Sequence, residues 1–362
     1  MYSLAMVIVI KMLSIFSTIR RYKYNKGQQM KKNLLVTSLA ALVVSTGLLN
    51  AADIKGSGAS FPFSVYQGWI KAYNQATGIK VDYVKKGSSA GVKDIKAKSV
   101  DFAGTDEALS RGELASAGLY QIPSVIGAIT MSYNIPGVKN LKLSREALAA
   151  IALGKVVYWD DAVIASANPG VALPHQKVTF VHRADGSGTT FNFTYHLSLI
   201  SPEWRSTYGA DKSINWPGKQ HVGGKTNTGV AALIKQTPYS IGYVDYADAK
   251  SNNLAMAALQ NAAGQFIAPS IASFKVAASK ANLNPAKDFY AVITNPKGNG
   301  AYPMVAATFI LIPKDSLNNK EVAKFFEWSL AKGDSVAASL GFVPLTPDLI
   351  AKINSYLNSK GL

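Results

Sequence analysis

From Asp53 to the C-terminus, short apolar runs alternate with stretches of helical period, and Gly, Pro or Asn separates one from the next. Apolar runs of that length pair into a sheet, and the helical stretches each lay one apolar stripe against it. The alternation therefore points to an α/β fold rather than a sandwich or a bundle. Residues 62–77 carry the helical period most plainly: Val65, Trp69 and Tyr73 share one stripe, Tyr66 and Ile70 flank it, and Gly78 stops it. The same reading predicts strands at 79–84, 100–104, 178–182 and 241–244, and helices at 91–98, 143–153, 160–167, 190–200, 320–332 and 347–357. On the last-but-one helix Val322, Phe325, Phe326 and Trp328 are expected on the inner side. Two longer β-like runs, 126–133 and 305–312, suit the crossings between two lobes. Since 362 residues exceed what one core usually organises, two lobes are expected: 53–132 with 296–362, and 133–295.

The N-terminal segment reads as an export signal. At Met30 a unit begins with Lys31 and Lys32, continues through an apolar stretch to Leu49, and ends on Asn50-Ala51-Ala52. A basic start, an apolar middle and small residues at the end make a secretory signal peptide, here spanning 30–52. Met30 is then the initiator, and residues 1–29 are a mis-called upstream extension. The competing reading is a signal anchor, which Thr37, Ser38, Ser45, Thr46 and Gly47 weaken. Residues 1–52 also carry seven lysines and arginines and no acid, so the formal +17 is inflated. Removing those seven from 38 leaves 31 basic against 21 acidic residues, a net of +10. A basic surface suits nucleic acid, an acidic lipid face or an anionic solute, and because the remaining lysines are scattered rather than massed, nucleic acid is the weak reading. With no cysteine at all, disulfides, thiolate metal sites, cysteine nucleophiles and a lipid-bearing cysteine are excluded.

Three Gly- and hydroxyl-rich turns each stand before a predicted helix: Gly56-Ser-Gly-Ala-Ser60, with Pro62 at the first helical position, Gly87-Ser-Ser-Ala-Gly91, and Asp185-Gly-Ser-Gly-Thr-Thr190. A helix start leaves N–H donors unpaired and carries partial positive charge, so each turn can hold an anion. Singly, each is also explained as ordinary N-capping. Converging, they would supply enough donors to bind a small oxyanion with neither metal nor cofactor. Other motifs fail on spacing. Gly224-Lys225-Thr226 lacks the glycine five places upstream that a nucleotide-binding loop needs, because Lys219 stands there. No glycine follows Ser187 by two residues, so Asp185-Gly-Ser-Gly is not a nucleophile elbow. His175, His182, His196 and His221 lack the helical spacing of a metal site. Asp160-Asp161 after Trp159 reads as the acidic start of a helix.

At these turns the sequence resembles the phosphate-binding proteins of the Pst phosphate-specific ABC transporters. The resemblance is carried by Gly56-Ser-Gly-Ala-Ser-Phe-Pro62, Gly87-Ser-Ser89, Asp101-Phe-Ala-Gly-Thr-Asp106, Asn134-Ile-Pro-Gly137, Leu153-Gly-Lys155 with Trp159-Asp160, Arg183-Ala-Asp-Gly-Ser-Gly-Thr189, Gly223-Gly-Lys225, Ile241-Gly-Tyr-Val244 and Phe309-Ile-Leu-Ile312. It implies a two-lobed periplasmic binding protein fold of type II-like form, each lobe a mixed sheet flanked by helices, with the ligand cleft between them. By position it implies that Ser60 and the backbone of Ala59 and Phe61 donate to phosphate, that Ser88 adds its hydroxyl, and that Asp106 faces the ligand. From the second lobe it implies the guanidinium of Arg183, held by Asp185, and donors at Ser187, Gly188 and Thr189. Asp106 would select by accepting the hydrogen that phosphate carries at neutral pH and sulfate lacks. The plainer readings are a strand-end cap for Asp106 and a surface ion pair for Arg183 with Asp185. Departures are small: Ser60 where Thr is common, Ala90 in place of a glycine, and Thr105 where Ser is common. The partners so implied are inorganic phosphate and inner-membrane permease subunits, with the receptor a monomer in the periplasm and not an enzyme. A receptor for sulfate or molybdate is the nearer rival, and a secreted phosphatase the more distant one.

Overall fold

The computed structural model describes residues 54–362, and the signal-peptide and upstream-extension readings lie outside them. Strands β1 (Ile54–Gly58), β2 (Val81–Lys85) and β3 (Phe102–Thr105) are followed by the 16-residue β4 (Leu119–Asn134) and the short β5 (Lys142–Leu143). Then come β6 (Thr179–Arg183), β7 (His221–Gly224), β8 (Ser240–Asp245), β9 (Ala255–Met256), β10 (Ala258–Gln260), β11 (Phe266–Ile267) and β12 (Val305–Pro313). They assemble in the order β2-β1-β3-β12-β4-β8-β6-β7, with β9 also on β4, while β11-β10-β5 make a separate three-stranded sheet. Pairing is parallel among β1, β2 and β3 and among β6, β7 and β8, and antiparallel wherever β4 or β12 takes part in this order.

Strand β4 serves two halves of the sheet. Its residues up to Ala128 pair with β12, and from Ile129 onward they pair with β8. Thirteen buried residues in a row, Gln121 to Tyr133, make this possible, because both faces of the strand are covered along its length. The second long run behaves differently from the crossing expected of it. All of β12 lies between β3 and the first part of β4, with every one of its residues buried. An unbroken apolar run suits a central strand as well as a crossing, and here the central position is the one it takes.

Each half wraps its sheet in helices. The helix Phe63–Thr77 buries Val65, Tyr66, Trp69 and Tyr73, as its period requires, and ends on Gly78 in the left-handed conformation. Its aromatic stripe meets Tyr83, Phe325 and Phe326 at ring separations of 5.1–5.8 Å, and Phe102 packs behind them on Tyr83 and Phe326. Full burial of each such ring contributes about 1.5–3 kcal/mol. On the helix Asn319–Lys332, Val322, Phe325 and Phe326 are buried, whereas Trp328 is half-buried against Tyr73. The other half is built on Phe180, Phe193, Trp204, Trp216 and Tyr243. The helix expected from 91 starts earlier, at Ser88, because Gly87 with φ 92° turns the chain straight into it. Asp161 does cap the short helix Ala162–Ala165, accepting from Val163 N–H at 2.9 Å, while Asp160 pairs with His175. Among the described residues no helix is long and apolar enough to cross a membrane.

Candidate functional site

The C-terminal ends of β1, β3 and β6 meet the N-termini of four helices: Phe63–Thr77, Ser88–Lys96, Gly188–Ile200 and Thr226–Gln236. Strand ends of this kind, with helix starts around them, are where open α/β sheets concentrate N–H donors. The two halves touch here. Ser89 N–H donates to Gly186 O at 3.1 Å, and Gly188 N–H donates to Ser88 Oγ at 3.1 Å. A Cβ at Gly188 would stand 2.6 Å from both Asp106 Cβ and Ser88 Oγ, and one at Gly87 would stand 2.4 Å from Asp185 Oδ2. Glycine at both places is thus required by close approach of the halves.

Asp106, just beyond β3, is 4 % exposed. Thr308 Oγ1 on β12 donates to its Oδ1 at 2.7 Å, and Asn192 Nδ2 donates to its backbone oxygen at 2.6 Å. Burial pushes its carboxyl up to about 7, against the opposing pull of the Thr308 hydrogen bond, the Arg183 charge and Ser88. Arg183 ends β6 with a buried side chain, and its guanidinium grips Asp185 in a fork, Nε to Oδ1 at 2.7 Å and Nη2 to Oδ2 at 2.5 Å. Asp185 Oδ1 also accepts from Thr226 N–H at 3.0 Å. This is a buried, oriented pair, not the surface pair allowed as the plainer reading. Tyr243 OH accepts from Arg183 N–H at 3.0 Å and bonds Thr190 Oγ1 at 2.7 Å, tying the strand end to the next helix.

Ser60, Ser88, Ser187, Gly188 and Thr189 are all buried around this pair of charges. Ser187 caps its helix, accepting from Thr190 N–H at 3.1 Å, while its own N–H goes to Lys212 O. Phe61 is buried with its ring edge-on to Phe342. Two expected donors are corrected. Gly188 N–H is spent on Ser88 Oγ at 3.1 Å. Ala59 N–H is not a free donor, because it bonds Gly104 O at 2.8 Å and so prolongs the β1–β3 ladder by one step. For the same reason Gly56–Gly58 belongs to the strand, and only the residues after it form a turn.

Sequence reasoning missed two participants. Thr308 lies on a strand read only as apolar, and nothing in its neighbours marks it. Asn227 follows the Gly223-Gly-Lys225-Thr226 turn, which opens a helix as the other three do. Its backbone N–H and Nδ2 donate to Ser60 Oγ at 3.1 and 3.2 Å, and Nδ2 also donates to Thr189 Oγ1 at 3.1 Å. That turn fails as a nucleotide loop but fits the rule applied to the other three. Of the histidines, His182 and His221 come within 3.0 Å across β6 and β7, a pairing that sequence spacing hides. Among the described residues no three metal-ligating side chains gather.

Known proteins resemble this chain in sequence and fold. The model of the PBP superfamily domain matches residues 43–332. A phosphate-binding protein PstS of Xylella fastidiosa is 46 % identical over 315 residues, covering 86 % of each chain. The chain belongs to the PstS family. Another PstS, from Pasteurella multocida, is 44 % identical over 324 residues, covering 88 % of this chain and 94 % of its own. The PstS fold is two-lobed, as the double role of β4 suggests. Among solved structures, the periplasmic phosphate-binding protein PfluDING, bound with phosphate, superposes with TM-score 0.68 at 20 % identity, over 84 % of this chain and 93 % of that one. A phosphate-binding protein from Stenotrophomonas maltophilia gives 0.66 at 19 %, with the same coverage.

Proposed function

We propose that this chain captures inorganic phosphate between its lobes in the periplasm and delivers it to the inner-membrane permease of an ABC importer. The observation that carries the reading is the buried Asp106 carboxyl, set beside Arg183 within a ring of N–H and O–H donors. An anion site made only of donors would accept any oxyanion. A buried acceptor among them admits only an anion that brings a hydrogen of its own, because an unpaired buried acceptor is costly.

In this reading Ser60 offers its hydroxyl and N–H, Phe61 its N–H, and Ser88 its hydroxyl, while Asp106 accepts from the ligand. Arg183, oriented by Asp185, supplies the guanidinium. Ser187 contributes its hydroxyl and Thr189 its N–H and hydroxyl at the start of their helix, while Gly188, whose N–H goes to Ser88 Oγ, lets the two halves come close. Each charge-assisted hydrogen bond is worth about 1.5–3 kcal/mol, so the set binds a small anion without a metal. The receptor works by hinge closure of the lobes, with no catalytic step. The PstS relatives and the phosphate-bound neighbour favour phosphate over sulfate or molybdate. Isothermal titration with orthophosphate and with sulfate, at matched ionic strength, is the test. Tight phosphate binding with little sulfate binding is expected. Equal affinity for the two would end the reading, as would steady hydrolysis of phosphomonoesters.

A further inference from the structure

Asn227 is wholly buried, and its side-chain amide stands between a residue of each lobe. Its NH2 reaches both Ser60 Oγ, at 3.2 Å, and Thr189 Oγ1, at 3.1 Å, while its backbone N–H also donates to Ser60 Oγ at 3.1 Å. Its own Oδ1 is buried with no partner among the described residues. A burial of that kind is costly unless the NH2 end is needed where it is. A serine hydroxyl has two lone pairs and one hydrogen. With both lone pairs of Ser60 taken by N–H donors, its hydrogen can only be given away, and an anion beside it is the acceptor. Ser88 shows the same arrangement built from backbone: its Oγ accepts from Asp106 N–H at 3.3 Å and from Gly188 N–H at 3.1 Å.

We infer that Asn227 is a positioning residue for the anion site: by donating twice to Ser60 it fixes that hydroxyl as a hydrogen-bond donor toward the ligand, while its contact with Thr189 Oγ1 holds the amide in place. It does not touch the anion itself. Since its contact with Ser60 bridges the lobes, the orientation is completed only as they meet, so Ser60 becomes a committed donor at the moment of capture. The inference rests on the phosphate reading above and deepens it. It also explains why the Ser60 hydroxyl, whose oxygen could equally accept, faces the ligand as a donor.

The test is a double-mutant cycle with Ser60→Ala and Asn227→Ala, each protein titrated calorimetrically with inorganic phosphate. Ser60→Ala should weaken binding by about tenfold, and Asn227→Ala by a similar factor, as expected for losing one or two neutral hydrogen bonds. The double variant should bind about as weakly as either single one, because Asn227 acts through the hydroxyl that Ser60→Ala removes. Losses that simply multiply would show a general structural role and overturn the inference, as would wild-type affinity in Asn227→Ala beside a weakened Ser60→Ala. Wild-type affinity in Ser60→Ala would instead overturn the phosphate reading of this turn. Asn227→Ser, whose hydroxyl is too short to reach Ser60, is the second variant if Asn227→Ala fails to fold, and the same outcomes apply to it.

Discussion

Replacing Asp106 by Asn changes one atom of the site and should invert its chemistry. The carboxyl is 4 % exposed, and its Oδ1 accepts from Thr308 Oγ1 at 2.7 Å. An amide of the same shape can keep that bond through its own oxygen, so packing is preserved. The other terminal atom turns from acceptor into donor. A phosphate oxygen bearing hydrogen loses its acceptor, whereas an oxygen without hydrogen, as in sulfate, gains a donor. Hydrogen bonds to a charged group contribute about 1.5–3 kcal/mol, so phosphate affinity should fall roughly ten- to hundredfold. Sulfate escapes a buried carboxylate and gains a hydrogen bond from the amide worth at least about 1 kcal/mol, so its affinity should rise roughly fivefold or more. The ratio of the two should therefore collapse by about two orders of magnitude. Titration calorimetry of both proteins with both anions, at matched ionic strength and neutral pH, reads it directly. A ratio unchanged by the substitution would refute the argument that Asp106 tests the ligand for hydrogen.

Three further outcomes are expected. Arg183→Ala removes the fork that balances Asp185 and should abolish measurable phosphate binding; it should also cost about 3–5 kcal/mol of stability by leaving a largely buried carboxylate unpaired, as read by urea unfolding. Gly188→Ala places a methyl group 2.6 Å from Asp106 Cβ and 2.8 Å from Asp106 N, so the halves lose their close approach: phosphate affinity should drop more than about tenfold, and phosphate-free melting should fall as well. The third concerns pH. Asp106 is raised from 3.8 to about 7, so its contribution to stability is fully present below 3.8 and lost as pH rises through about 7. Phosphate-free wild type should accordingly lose stability across that window relative to Asp106→Asn, by at most about 4 kcal/mol. Denaturant curves at several pH values would show it, and parallel profiles would mean that Asp106 is not held in the buried state described.

Much of this was legible in the chain. The stripe Val65, Trp69 and Tyr73 and the stop at Gly78 came straight from helical period and cap chemistry, which are local. The Arg183-to-Thr189 run was legible because one short segment holds a guanidinium, its orienting acid and a capped helix start. What escaped was set by contacts distant in sequence. Ala59 N–H is spent because β3 lies alongside, and Thr308 reaches Asp106 across 202 positions of sequence because β12 is central and not a crossing. Asn227 could have been reached by applying the helix-start rule to the Gly223-Gly-Lys225 turn as well.

The shared strand β4 has a consequence for how fast such a receptor can respond. Because one unbroken backbone is hydrogen-bonded to both halves, with the change of partner between Ala128 and Ile129, the two sets of donors cannot drift apart as modules on a flexible tether would. Once the first set holds an ion, the second stands at high effective concentration, and little orientational entropy remains to be lost on engulfing it. Lengthening the backbone at that junction with a few glycines would leave both sets of donors intact while lowering the rate of capture.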